Sequence, residues 1–362
     1  MKVLFLCNYP YGYVLSSRSR FFSAELKNQG ISSSVLYKKK QRIKTLIYFF
    51  LGIIRLKPSL IYTMEGFYVE ILAFFSKLLF RIPYIIDRAD TLEDFLKTNH
   101  SSFFLIFFIS KIEKIILANA SAIVCRGVNQ TLIFRSRYYN KNIIHLSEGT
   151  DIDLWKPLSG QSLRKKLKIP QNALVICTMG PAIWGVSNHF FGREIIEVLK
   201  NTKDKNIYAI ILPSLTSNKN AINCLISLAD EYNVTSKVHI IENVPRNHVP
   251  RYLSAVDIGI STQVNNISGE MRTTAKLPDY LACGKFVLAS KIGDALRYLP
   301  TEMLVIHNEN YYSNLHKKVE LIYKKRRILK LSQIGIKIAR NNFNYKKISK
   351  KAAKEISNIL IK

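Results

Sequence analysis

Three stretches of the sequence set reactive or ligand-binding residue types at spacings that suit chemistry. In 272–290, RTTAKLPDYLACGKFVLAS, Arg272 and Lys276 stand four apart around Thr273 and Thr274, just ahead of a helical pattern at Leu277, Tyr280 and Leu281. Pro278 suits the first turn of that helix. A helix start offers free N–H groups and a partial positive charge, so two cations and two hydroxyls beside it make a receptor for a phosphorylated ligand. The same spacing also fits an ordinary helix–strand unit with solvated charges. In 87–90, Arg88 lies between the carboxylates Asp87 and Asp90 at the end of the apolar run 82–87. Such a group orients a hydroxyl or balances a phosphate, or else caps the next helix with a local salt bridge. The apolar run LVICTMG, 174–180, ends on Gly180, where a glycine turn can admit a phosphate. Asp151 and Asp153 have the DxD spacing of a metal-binding pair, a spacing that is common by chance.

These residues need strands and helices to hold them, and the pattern supplies both. Apolar runs at 3–7, 34–37, 59–63, 82–87, 122–125 and 143–146 read as strands. Between them, 21–30, 67–80 and 103–118 read as helices, the first ending at Gly30 as a C-cap would. The loop after the first strand is expected to run from Asn8 through Ser16 and Ser17 to Arg18, Ser19 and Arg20. A second alternating series begins at Leu174, with strands at 208–212, 238–241, 286–289 and 304–307 and helices at 221–232, 311–325, 329–340 and 348–361. Alternation of this kind is the signature of parallel sheets wrapped by helices, an α/β architecture. Ligands of such sheets gather where strand C-termini meet the following loops, which points to 8–20, 64–67, 87–90 and 126–129. Five single cysteines without a CxxC pair argue against a disulfide scaffold or structural zinc. Lys2 leads straight into a strand pattern, so no secretory signal is expected.

Residues 272–290 resemble the nucleotide-sugar signature of the GT-B glycosyltransferases of family 4, the large retaining group. There, a helix carrying an acidic residue precedes an A-x-G-x-x-V turn into a strand; here these are Asp279, Ala282, Gly284 and Val287. That family often carries two glutamates seven residues apart. The first place falls on Met271, with Glu270 one position early, and Asp279 takes the second. The run 244–257 resembles the family's V-P-x-x-x-V-P-x-Y-L-x-x-A-D segment through Val244, Pro245, Val249, Pro250, Tyr252, Leu253 and Asp257. The run 145–157 resembles its interdomain N-G-V-D-x-x-x-F-x-P segment, with Glu148 in place of the asparagine, so Asp151 and Asp153 are assigned no metal. Relatives follow the glycine at Gly180 with an arginine and then lysine-glycine. Here Pro181 stands at the arginine place and 184–187 supplies no lysine. DRAD resembles the family's D-x-R-D stretch, without the histidine that many relatives place nearby.

The resemblance implies two Rossmann-like domains facing across a cleft: an acceptor domain at 1–160 joined by the C-terminal helix 345–362, and a donor domain at 161–344. It implies a nucleotide-sugar donor, a glycan or lipid-linked acceptor, and no cofactor or metal. Asp90, Arg272 and Lys276 are the expected catalytic residues, the two cations stabilising the leaving diphosphate. Gly180, Glu270, Thr273, Thr274 and Asp279 are expected on the donor, and Arg18, Arg20 and Arg88 on the acceptor side. Domain closure would bring Arg88 and Asp90 to the reaction.

Composition adds a question of place. The formal charge is +29, from 54 Lys+Arg against 25 Asp+Glu, and calls for an anionic partner or surface. No C2H2 spacing, RNP-like strand or basic heptad region marks a nucleic-acid binder. Lys38, Lys39, Lys40, Arg42 and Lys44 precede the uncharged run 45–54, TLIYFFLGII, and Arg55 and Lys57 follow it. That run is too short to cross a bilayer. It fits either an interfacial segment on acidic lipids, in a cytoplasmic protein peripheral to the inner face of the membrane, or a buried helix after a solvated basic loop. Three function classes remain: a glycosyltransferase of bacterial surface polysaccharide or glycolipid synthesis, another GT-B enzyme such as a nucleotide-sugar epimerase, and a binding protein with a degenerate site.

Overall fold

The computed structural model describes residues 1–89, 92–98, 101–181, 191–202, 205–215 and 217–361. The first half runs β1 (Lys2–Cys7), α1 (Val14–Asn28), β2 (Ser32–Tyr37), α2 (Arg42–Leu56), β3 (Leu60–Met64), α3 (Phe67–Phe80), β4 (Tyr84–Arg88), α4 (Leu92–Thr98), α5 (Phe103–Asn119), β5 (Ala122–Cys125), α6 (Val128–Arg137) and β6 (Ile143–His145). The second half begins with α7 (Gln161–Lys166), β7 (Leu174–Gly180), α8 (Arg193–Lys200), β8 (Ile207–Pro213), α9 (Lys219–Glu231), β9 (Val238–Ile240), α10 (Val249–Leu253) and β10 (Ile258–Ser261). It continues through α11 (Ile267–Met271), α12 (Lys276–Ala282), β11 (Phe286–Ser290), α13 (Ala295–Tyr298), β12 (Leu304–Val305), α14 (Tyr311–Lys324), α15 (Ser332–Asn342) and α16 (Tyr345–Ile361). Two compact units result. One holds 1–149, 270–273 and 344–362, the other 150–269 and 274–343.

The sheet of the first unit has the order β2-β1-β3-β4-β5-β6, and all its pairings are parallel. Its central strands are buried along their length, as a parallel sheet covered on both faces requires. Phe49, Ile53, Val69, Ala73, Ile116 and Leu117 bring α2, α3 and α5 onto one face. Phe22, Leu26, Ile348 and Ala352 bring α1 and α16 onto the other. The ring of Tyr345, opening α16, stacks on Phe21 with centroids 4.9 Å apart.

One expectation fails here. The Ser- and Arg-rich stretch through Arg20 is not a loop, because α1 begins at Val14. Its serines bond to the backbone one turn back, Ser16 Oγ to the Tyr13 carbonyl and Ser19 Oγ to the Ser16 carbonyl. Composition alone reads serine as a loop former; turned onto a polar sheet end with its hydroxyl satisfied locally, it is tolerated in a helix.

The sheet of the second unit has the order β12-β11-β10-β7-β8-β9, again all parallel. The chain moves outward from β7 to β9 and returns to β10 on the opposite side, so the order reverses between β7 and β10. The C-terminal ends of two strands at such a reversal form the crevice where α/β sheets take ligands. Gly259, inside β10, lies where the Tyr280 ring of α12 approaches so closely that a Cβ would stand 2.5 Å from it. The missing side chain lets α12 seat directly on the strand.

Candidate active site

Residues of the second unit assemble at the ends of β7 and β10. Gly180 closes β7 with φ of +136°, a conformation that favours glycine, and the Phe191 ring lies 3.3 Å from where its Cβ would stand. Ser261 closes β10, and its Oγ shares a 2.9 Å hydrogen bond with Thr274 Oγ1. Lys276 opens α12 half-buried, with its Nζ 5.2 Å from the centre of the Phe191 ring. Burial lowers the Lys276 ammonium below its ordinary value, and the carboxylate of Glu194 opposes that shift. Burial likewise raises the Glu194 carboxyl, and Lys276 opposes it. Glu194 also accepts from the Gly192 N–H at 2.9 Å, in the turn that starts α8. The result is a partly desolvated cation with one carboxylate beside it, bordered by two hydroxyls and a glycine strand end. An incoming phosphate would favour the charged form of that lysine.

Asp279, expected on the donor, has other partners. It is fully buried, accepts from Thr150 Oγ1 at 2.7 Å and pairs with Arg246 Nη2 at 3.0 Å. The Arg246 guanidinium lies over the ring of Trp155, 4.6 Å from its centre. Asp279 thus ties α12 to the segment that leads into the second unit.

The first unit gathers its charges at the end of β4. Asp87 accepts from Arg18 Nε at 2.7 Å, Tyr62 Oη at 2.8 Å and Arg126 Nε at 2.8 Å. Burial alone would raise its carboxyl, yet Arg18 and Arg126 together hold it below the ordinary carboxylate range. Arg18 spends its remaining N–H groups on the carbonyls of Ser147 and Leu146. Arg126 Nη1 pairs with Glu65 at 3.0 Å and Glu148 at 3.4 Å, while its buried Nη2 has no partner among the described residues. Arg88 turns the opposite way, into a buried triad with Glu70 and Glu113. Arg20 is exposed against Phe21. The 270–273 segment is grouped with this unit: Met271 is in its core, Thr273 is buried, and Glu270 accepts from Asn129 Nδ2 at 3.2 Å. Arg272 is half-buried, and Asp90 and Trp184 lie outside the described residues.

Of the residues expected from spacing, Gly180, Thr274 and Lys276 come together in one unit, and Arg18 and Arg88 become interior ties of the other. Glu194 was not named from the sequence, and Arg126 was named only as the start of the strand-end loop 126–129. Arg126 had a signal, because it is the first residue after β5 and so stands on a strand-end loop. Glu194 had none, being an ordinary acid in a helical pattern.

No family model and no curated protein matches the sequence. Solved structures match over the full length. Sucrose-phosphate synthase from Thermosynechococcus elongatus superposes with a TM-score of 0.79 at 15% identity, covering 100% of both chains. The chain has the GT-B fold. A glycosyltransferase from Rickettsia africae shares it with a TM-score of 0.69 at 14% identity, over 100% of this chain and 98% of that one. The E. coli trehalose-6-phosphate protein bound with UDP-2-fluoro glucose shares it at 0.69 and 9% identity, over 99% of each chain. On that fold Lys276 belongs to the unit built on β7 to β12, and Asp87 lies in the sheet of β1 to β6.

Proposed function

We propose that this GT-B chain is a retaining glycosyltransferase that moves a sugar from a nucleotide-sugar donor to a glycan or lipid-linked acceptor, in bacterial surface polysaccharide or glycolipid synthesis at the cytoplasmic face of a membrane. The observation that carries the proposal is Lys276, a partly desolvated cation beside Gly180, Ser261 and Thr274 where the second sheet reverses its strand order. Support comes also from a neighbour of the same fold that was solved with UDP-2-fluoro glucose.

In this reading the bond between the sugar carbon and the diphosphate oxygen breaks while the acceptor hydroxyl attacks that carbon. The hydroxyl proton passes to the departing phosphate oxygen. Charge develops on the diphosphate, and the roles assigned to Lys276 and Arg272 are to stabilise it. Thr273, Thr274, Gly180 and Glu270 position the donor. Arg20 and Asp90 are assigned to the acceptor, whereas Arg18 and Arg88 act as positioning residues by fixing the strand ends around them.

The test is a thermal-shift series with UDP, GDP, ADP and TDP. One diphosphate should raise the melting temperature by mass action, and Lys276→Ala should abolish that rise. If none of the four shifts the wild-type protein, the reading as a transferase falls and a degenerate binding protein replaces it.

A further inference from the structure

The helices that cover one face of the first sheet are apolar on their outward sides as well. In α2, Thr45, Phe49 and Ile53 turn inward, while Ile43, Ile47, Leu51 and Ile54 form a stripe exposed to solvent. In α3 the exposed residues include Phe75, Leu78 and Leu79, and in α5 they include Phe103, Phe104, Phe107 and Phe108. Phe103 is 77% exposed and Leu79 67%. The three helices are neighbours in the order α2, α3, α5, and the Phe50 and Phe80 rings meet across the first pair at 6.5 Å. They carry sixteen of the thirty exposed large apolar side chains among the described residues. Concentration on one face marks an interaction surface, since soluble surfaces seldom leave contiguous apolar patches beyond a few hundred Å².

We propose that this face docks onto a lipid bilayer bearing anionic headgroups. Its purpose rests on the transfer reaction proposed above; its physics rests on the three helices alone. The charge on those helices decides the occupant. Their only carboxylates, Glu70 and Glu113, point inward to Arg88, so every exposed charge they carry is positive. Arg42, Lys44, Arg55, Lys111 and Lys114 are exposed around the apolar side chains, with Lys57 and Arg81 just past the ends of α2 and α3. Lys111 Nζ lies 4.2 Å from the centre of the Phe107 ring, so its stem follows the aromatic surface while its charge reaches outward. A second copy of the chain would bring the same positive rim against this one. An acidic bilayer supplies the complement, hydrocarbon for the rings and phosphate for the lysines.

The mode is insertion in the plane of the interface. The helices have 15, 14 and 17 residues, and among the described residues no helix is long and apolar enough to cross a membrane. At about 1.5 Å per residue each falls short of the roughly 30 Å hydrocarbon core.

Sedimentation with vesicles tests this. Full-length protein should pellet with vesicles of equal parts phosphatidylcholine and phosphatidylglycerol, and far less with phosphatidylcholine alone. Phe104→Glu with Phe108→Glu should cut that partitioning about tenfold or more, and Lys111→Glu with Lys114→Glu should cut it on acidic vesicles alone. All four positions are exposed, so the fold is kept, and a cooperative melt close to the wild-type temperature in each variant shows that it is. No pelleting of the wild type, or equal pelleting of the variants, would overturn the docking. So would a wild-type dimer that becomes monomeric in Phe104→Glu, because the face would then be a self-association surface. Vesicle binding without any nucleotide shift would instead retain the docking and remove the transfer.

Discussion

Asp87 is a buried carboxylate held by three side chains. Its carboxylate is shared by two arginines and a tyrosine, and removing one partner of a buried pair leaves an uncompensated charge. His145 shows the opposite case, a titratable group with no counter-charge. It ends β6 with its Nε2 buried and unpartnered among the described residues, and Lys351 donates to its carbonyl at 2.9 Å. Burial first, and then the Lys351 charge, lower its pKa from 6.5 to about 4. The unfolded chain therefore takes up the proton before the folded one does. Stability should be full above pH 6.5 and fall as pH drops towards 4. After allowance for partial exposure the loss should be on the order of 2 kcal/mol. His145→Gln should flatten that limb in urea titrations run at several pH values, while leaving the neutral-pH midpoint close to wild type. That Gly180, Thr274 and Lys276 come together in one unit was legible, because strand ends and charge spacing are local. That Arg18, Arg88 and Asp279 are consumed by interior partners was not, since Asp87, Glu70, Glu113, Arg246 and Thr150 lie far away in sequence.

At the scale of elements the reading was closer. The ranges 67–80, 122–125 and 174–180 match α3, β5 and β7 residue for residue, because a predominantly apolar run flanked by polar, glycine or proline residues leaves little choice of boundary. The α1 start was lost because helix propensity ignores where a serine's hydroxyl goes. The turn between α12 and β11 has its own requirement. Gly284 has φ of +68°, and a Cβ there would stand 3.1 Å from Pro157 and 3.2 Å from Ile336. Gly284→Ala should cost about 1 to 2 kcal/mol from the left-handed backbone alone. Tryptophan fluorescence in a urea titration would read this, since Trp155 belongs to the same unit as Gly284. An unchanged midpoint would mean that the backbone at 284 leaves the left-handed region in the variant.

For the whole molecule, the charge of +29 predicts attachment to polyanions of many kinds, and salt separates the specific from the general. Screening acts over about 8 Å at physiological ionic strength, so attraction through charge alone should fade as salt is raised. Burial of aromatic rings is not screened. Binding to acidic vesicles should therefore fall with salt to a plateau above zero. Phe104→Glu with Phe108→Glu should remove the plateau, whereas retention of wild-type protein on duplex DNA should fall to nothing over the same range.

Arg88 extends this beyond the surface. It stands at the last position of β4, and the carboxylates that hold it belong to α3 and α5. Two of the helices proposed to meet lipid thus end, on their inner sides, at the strand that leads towards the acceptor-side candidates. A ligand at that strand end and a bilayer at the outer face would bias one set of ion pairs. By thermodynamic reciprocity, the factor by which vesicles change the affinity for an acceptor must equal the factor by which that acceptor changes the affinity for vesicles.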